Sequence, residues 1–185
     1  MPSLPPLPAD PLHQLLLLSM VLHVPFSVAW IGVALYAIFV TTVPGLSIEQ
    51  RGYLLLRTRA LVLVSLPVLL LTGVFQTMYN PLTEPITSYA MLSRLRATPY
   101  GAALFYKHGF VIATIVVTLA LVFMLAGKLA RAGSGALASS GAAALASVDP
   151  NAESIRRQAT WLALLNGLIC LSLLLCVTYI VFSLR

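Results

Sequence analysis

Two histidines stand inside long apolar runs of this sequence. His23 lies in MVLHVPFSVAWIGVALYAIFVTTVPG, residues 20–45, which carries no charged side chain, and His108 begins the run in YKHGFVIATIVVTLALVFMLAGK, from residue 106. An imidazole is costly in an apolar segment and is read as functional when that segment crosses a membrane. It can ligate copper, iron or zinc, act as an axial ligand of haem b, or hydrogen-bond a neighbouring helix. Sulfur accompanies the pair. Met20 precedes His23 by one helical turn, and Met78 and Cys176 fall near the ends of two other apolar runs. Soft sulfur ligands suit Cu(I).

The elements that must hold these side chains follow from composition. The chain has 185 residues, 59% hydrophobic and only 9% charged, with a mean hydropathy of +0.96. A soluble domain carries about a quarter charged residues, so the sequence is that of an integral membrane protein. A bilayer takes about 20 apolar residues of helix. Four charge-free runs meet that length: Leu15 to Thr42, Ala60 to Met78, Leu104 to Gly127 and Thr160 to Phe182. No water is available there to satisfy the backbone, so each run must be helical. The expected fold is all-α, one domain over residues 1–185 forming a four-helix up-down transmembrane bundle. Pro25 and Pro67 fall inside the first two spans and should kink them.

A net charge of +6 would suggest nucleic acid in a soluble protein. Here the basic residues flank the spans, so no nucleic-acid partner is inferred and the partner is the lipid bilayer. Arg51, Arg57, Arg59, Lys128, Arg131, Arg156 and Arg157 fall on one side, against Arg94, Arg96, Lys107 and Arg185 on the other. The positive-inside rule then places both termini outside and the richer side in the cytoplasm. The segment 131–149 is rich in Ala, Gly and Ser and reads as a flexible cytoplasmic linker. Beyond it, Asp149 can cap a helix that starts at Pro150, with Glu153 pairing Arg157. Ser88 to Arg96 reads as a short amphipathic helix on the membrane surface, with Tyr89, Leu92 and Leu95 facing lipid. The N-terminal MPSLPPLPADP lacks a basic n-region and reads as an uncleaved, proline-stiffened lead-in.

Counting from the basic side places the candidate ligands at one depth. His23 lies nineteen positions from Thr42, His108 nineteen from Gly127, Met78 nineteen from Arg59 and Cys176 nineteen from Arg157. Nineteen residues of helix rise about 28 Å, close to the hydrocarbon thickness. His23, His108, Met20 and Met78 are therefore the candidate metal ligands, and His23 and His108 the candidate haem ligands. Each has a plainer reading. Buried methionines fill gaps, a lone cysteine is a small packing residue, and Lys107 can snorkel to the interface. His13 falls outside the bilayer, Trp30 packs inside the bundle, and Asn166 should make an inter-helix hydrogen bond. Cys170 and Cys176 share one span and form no disulfide framework.

HVPFSVAWIGVAL, with a tryptophan seven residues after the histidine and then Gly32, resembles the first-helix signature of the copper resistance D (CopD) family. That family usually has a second glycine where this chain has Val33. RTRALVLVSLPVLLLTG, ending in Thr72-Gly73, resembles its second helix. LSRLRATPYGAALFYKHGFVIA, with Thr98, Tyr100, Gly101 and Lys107, resembles the next block. The resemblance covers roughly residues 16 to 131. It implies a bacterial or archaeal inner-membrane module that handles copper, supplied by a periplasmic copper carrier. More distantly the chain resembles the HemJ-type four-helix haem proteins, whose first-helix histidine and third-helix lysine match His23 and Lys107. His108 departs from the copper family's usual pattern, and a second histidine points toward bis-histidine haem. The two functional expectations are thus copper transfer through a His/Met site near the periplasmic face, or a haem-b electron-transfer subunit of a larger respiratory complex. Neither gives the chain a catalytic constellation of its own.

Overall fold

The computed structural model describes residues 10–79, 88–138 and 150–183. These are almost entirely helical and contain no strand: α1 (Pro11–Thr42), α2 (Ile48–Arg57), α3 (Arg59–Met78), α4 (Tyr89–Arg96), α5 (Pro99–Leu119), a π-helical segment (Ala120–Leu125), α6 (Ala126–Ala138) and α7 (Pro150–Ser183). They combine into four helices long and apolar enough to cross a membrane, Pro11–Thr42, Ile48–Met78, Pro99–Ala132 and Asn151–Ile180. The chain is a multi-pass membrane protein built as an all-α four-helix bundle. The first two spans extend past their charge-free runs at the N-terminal end and stop with them at Thr42 and Met78, while the third, Pro99–Ala132, extends past its run at both ends.

Local chemistry sets the boundaries. Asp10 caps α1 by accepting from the Leu12 amide at 3.0 Å, with Pro11 in the first turn, where a missing N–H costs nothing. Gly45, at φ +87°, follows Pro44 in the tight connection that reverses the chain. Ser47 and Gln50 then close a capping box on α2. Thr98 caps α5 through the Gly101 amide at 3.0 Å, and Ser88 caps α4, the expected surface helix. Tyr89 of that helix is 84% exposed. Gly101 admits the Leu95 carbonyl into the space a side chain would fill, which packs α4 onto α5. Both α1 and α3 run through their internal prolines without a break. The first residues of the expected 131–149 linker are helical. Helix α6 continues to Ala138, consistent with alanine's being the strongest helix former, while 139–149 and Asp149 lie outside the described residues.

In the bundle α1 packs against α3 and α7, α5 packs against α7, and α2 packs against α6. The first and third spans therefore stand diagonally. The main core lies at the end that carries the basic residues. Val40, Leu55, Ala126, Leu129, Ala159 and Ala163 are fully buried there. Gly52 brings α2 onto α6 so closely that an added Cβ would lie 2.3 Å from the Ala130 amide nitrogen. Small residues at 52, 126 and 130 allow that approach. Arg51, only 6% exposed, donates to the carbonyls of Val40 (2.6 Å), Val43 (2.7 Å) and Leu46 (3.2 Å), satisfying the orphan carbonyls at the end of α1. Arg59 does the same for the π-helical segment, donating to Val122 and Phe123 carbonyls at 3.3 Å while its guanidinium lies 5.2 Å from the Phe123 ring centroid.

At mid-depth the bundle is tied by one polar network. Thr114 donates to Asn166 Oδ1 at 2.6 Å, and Asn166 Nδ2 donates to Thr118 at 3.0 Å. Trp30 Nε1 reaches Thr114 at 3.4 Å across the bundle diagonal, and Cys170 Sγ lies 3.5 Å from the same hydroxyl. All five side chains are buried. Asn166 thus makes the inter-helix bond its position suggested, and Trp30 packs in the interior.

Candidate functional site

Above that network, toward the end opposite the basic one, α3 ends in TGVFQTM, Thr72 to Met78. Thr72 and Gln76 are four residues apart, as are Gly73 and Thr77, so two polar stripes share neighbouring faces of one helix. His23 and His108 bind to this turn from opposite sides of the bundle. His23 Nδ1 lies 2.7 Å from Thr72 Oγ1. The Thr72 hydroxyl has one proton and donates it to the Val68 carbonyl at 2.6 Å, so it accepts from His23 Nδ1–H. The neutral ring then carries its lone pair on Nε2. The ring lies beside Gly73, where an added Cβ would stand at an ordinary contact distance of 3.5 Å from His23 Cε1.

His108 is fixed by the same logic. Its Nδ1 lies 2.7 Å from the Leu104 carbonyl, which can only accept, so Nδ1 is the donor and Nε2 again holds the lone pair. Thr77 Oγ1 stands 3.2 Å from that Nε2 and 2.8 Å from the Gly73 carbonyl. One hydroxyl proton serves two acceptors, so the longer contact, to Nε2, is the one a stronger partner displaces. An imidazole whose Nδ1–H is held by an oxygen is oriented for ligation through Nε2. Both rings are half-buried.

Lys107 is half-buried, within electrostatic reach of both imidazoles, and forms neither ion pair nor hydrogen bond among the described residues. Gln76 Nε2, near the same end of α3, is buried without a partner among the described residues, as is Ser65 Oγ lower on the helix. A shielded polar atom left unpaired is expensive.

The other candidates are placed differently. Met20 and Met78 are 44% and 40% exposed on the flanks of α1 and α3. Cys176 lines an outer groove with Ala102 and Tyr106 of α5. Tyr106 is two residues from His108, about 200° around the helix, so Cys176 faces away from the imidazoles. The anchors of the two rings, Thr72 and Thr77, differ by about 7.5 Å of helical rise, so the layer is a band rather than a plane. Among the described residues no three or more His, Cys, Asp or Glu side chains gather as a metal cage. The Thr72, Gln76 and Thr77 contributions were not singled out as hydrogen-bonding groups from sequence. Their signal was the polar residues at four-residue spacing in an otherwise apolar helix end.

No protein-family model, no curated protein and no solved structure matches this chain.

Proposed function

We propose that this chain handles copper in the bacterial or archaeal inner membrane, with His23 and His108 taking the ion near the outer face, as the resemblance to the CopD family implies. One observation carries the reading: each histidine has Nδ1–H committed to an oxygen, so Nε2 holds the lone pair, met at His108 by the Thr77 hydroxyl at 3.2 Å. Imidazole suits copper, and Cu(I) accepts two-coordinate ligation, so two imidazoles brought to one ion need no thioether. Met20 and Met78 stand on the exposed approach, where soft sulfur can pass Cu(I) inward from a periplasmic carrier. The seven basic residues at the other end support a cytoplasmic location for that end, with both termini outside.

The diagonal placement of the first and third spans favours a second reading, a haem-b subunit of a respiratory complex. His23 and His108 would hold the iron, which supplies a one-electron couple.

Metal analysis and an optical spectrum of the purified protein, before and after reduction, separate the two. Stoichiometric copper without Soret and α bands supports copper handling. Those bands on reduction support haem, and a protein that takes up neither overturns both. Topology is tested by a cysteine introduced at Ser139 in a chain whose two native cysteines are replaced. An impermeant thiol reagent added to intact cells should leave it unlabelled, and labelling would reverse the orientation.

A further inference from the structure

The basic end carries a second feature, unconnected with the histidines. Between the π-helical segment with α6 on one side and the first turns of α7 on the other runs an open groove of about 800 Å³. Its polarity changes along its length. At the basic end lie Lys128 and Arg157, with Glu153 between the strands of charge. One turn further into the bilayer it is lined by Met124, Trp161 and Leu162. Glu153 to Trp161 is eight residues, about 12 Å of helix, so the change from charged to apolar takes place over the depth of a lipid's headgroup and upper acyl chain.

The charge balance at the upper end is cationic. Glu153 is compensated by Arg156 (2.6 and 2.7 Å) before the 3.2 Å contact of Arg157 is counted. Lys128 is exposed and has no ion-pair partner among the described residues. Trp161 is 73% exposed and Met124 62%, although both face the groove at the start of the apolar run. A tryptophan at that level sits where headgroups meet hydrocarbon. A free phosphate would use the cations and leave the apolar half uncovered. A zwitterionic lipid would cover the apolar half and leave the cations without a net anionic partner.

We propose that this groove is a binding site for an anionic phospholipid, the phosphate held by Lys128 and Arg157 and an acyl chain lying along Met124, Trp161 and Leu162. Basic pockets between transmembrane helices on the cytoplasmic side bind such headgroups, and each surface cation favours anionic lipid by roughly fivefold. The site is independent of any metal at the histidines.

Trp161 supplies the test, because it lines the site and the chain's other tryptophan is the buried Trp30. The full chain carrying Trp30→Phe is reconstituted in phosphatidylcholine vesicles, and its fluorescence is quenched by brominated phosphatidylglycerol or brominated phosphatidylcholine at equal mole fraction. The proposal expects a relative association constant for the anionic lipid at least fivefold above that for the zwitterionic one. Lys128→Gln with Arg157→Gln should bring the ratio to about one, and Arg94→Gln with Arg96→Gln, at the opposite face, should leave it unchanged. Raising the salt on the parent should also lower the ratio, which needs no variant to fold. Equal quenching by the two lipids in the parent overturns the proposal, as does a preference that survives the double substitution or is lost in the opposite-face variant.

Discussion

At the basic end Gly52, Ala126 and Ala130 bring two helices to backbone contact, and Arg51 is buried with all three of its donor nitrogens on carbonyls. At the opposite end His23, Lys107 and His108 are half-buried around a polar turn, Lys107 and Gln76 Nε2 have no partner among the described residues, and Met20 and Met78 are exposed. Both ends bring cations and polar atoms into an apolar bundle. At the basic end the chain itself satisfies the guanidinium groups of Arg51 and Arg59, whereas at the other end Lys107 and Gln76 Nε2 are left without a partner among the described residues. The tightest packing and the proposed site thus lie at opposite ends of the bundle, with the Trp30–Thr114–Asn166 network between them.

Substitutions at matched positions can break that contrast. The largest effect is expected from Arg51→Ala, which strands the carbonyls at the end of α1 and should cost about 3 kcal/mol in unfolding measured in detergent. Lys107→Met, at the other end, should cost less than about 0.5 kcal/mol, since it removes a charge with no ion partner. Equal losses at the two sites would mean that Lys107 is a structural cation after all.

Next are two glycine-to-alanine changes. Gly52→Ala forces a Cβ against the Ala130 backbone and should destabilise by about 2–3 kcal/mol despite alanine's better helix propensity. Gly109→Ala meets open space and should be neutral or stabilising by about 0.5–1 kcal/mol. A thermal shift series checks both, and a destabilising Gly109→Ala would show that the outer end is as tightly packed as the basic one.

A smaller loss than at Arg51 or Gly52 is expected in the middle. Asn166→Leu removes the partner of Thr114 and Thr118, while Trp30 still reaches Thr114. Inter-helix hydrogen bonds in membranes average about 0.6 kcal/mol, so a loss of about 1 kcal/mol is expected. A much larger loss would make the network, and not the basic-end core, the main tie of the bundle.

The four spans were legible because charge exclusion from hydrocarbon is a strong, length-coded signal. The surface helix was legible through Ser88 and its apolar spacing. Depth could be counted, but rotation about each axis could not, since every residue turns the helix by about 100°. Met20 and Met78 therefore read as inward ligands and stand on the flanks, and Cys176 shares the depth of His108 while facing away from it. Arg51 was readable as a topology signal but not as a cap, because charge counts carry no donor geometry. Nothing in ALVFML, residues 120–125, distinguishes a π-helical turn from ordinary helix. The Ala-rich stretch after Arg131 was composition-poor enough to read as linker, yet alanine also favours the helix that α6 continues through Ala138.

The central claim is that the half-buried imidazoles are ligands whose stability is supplied elsewhere. It is tested by measuring bound copper and haem per chain in the parent, His23→Ala and His108→Ala proteins, alongside the unfolding midpoint of each. The expected result is loss of the bound group in each single variant, with midpoints close to that of the ligand-free parent. Full retention of the parent's copper or haem by both variants would contradict it.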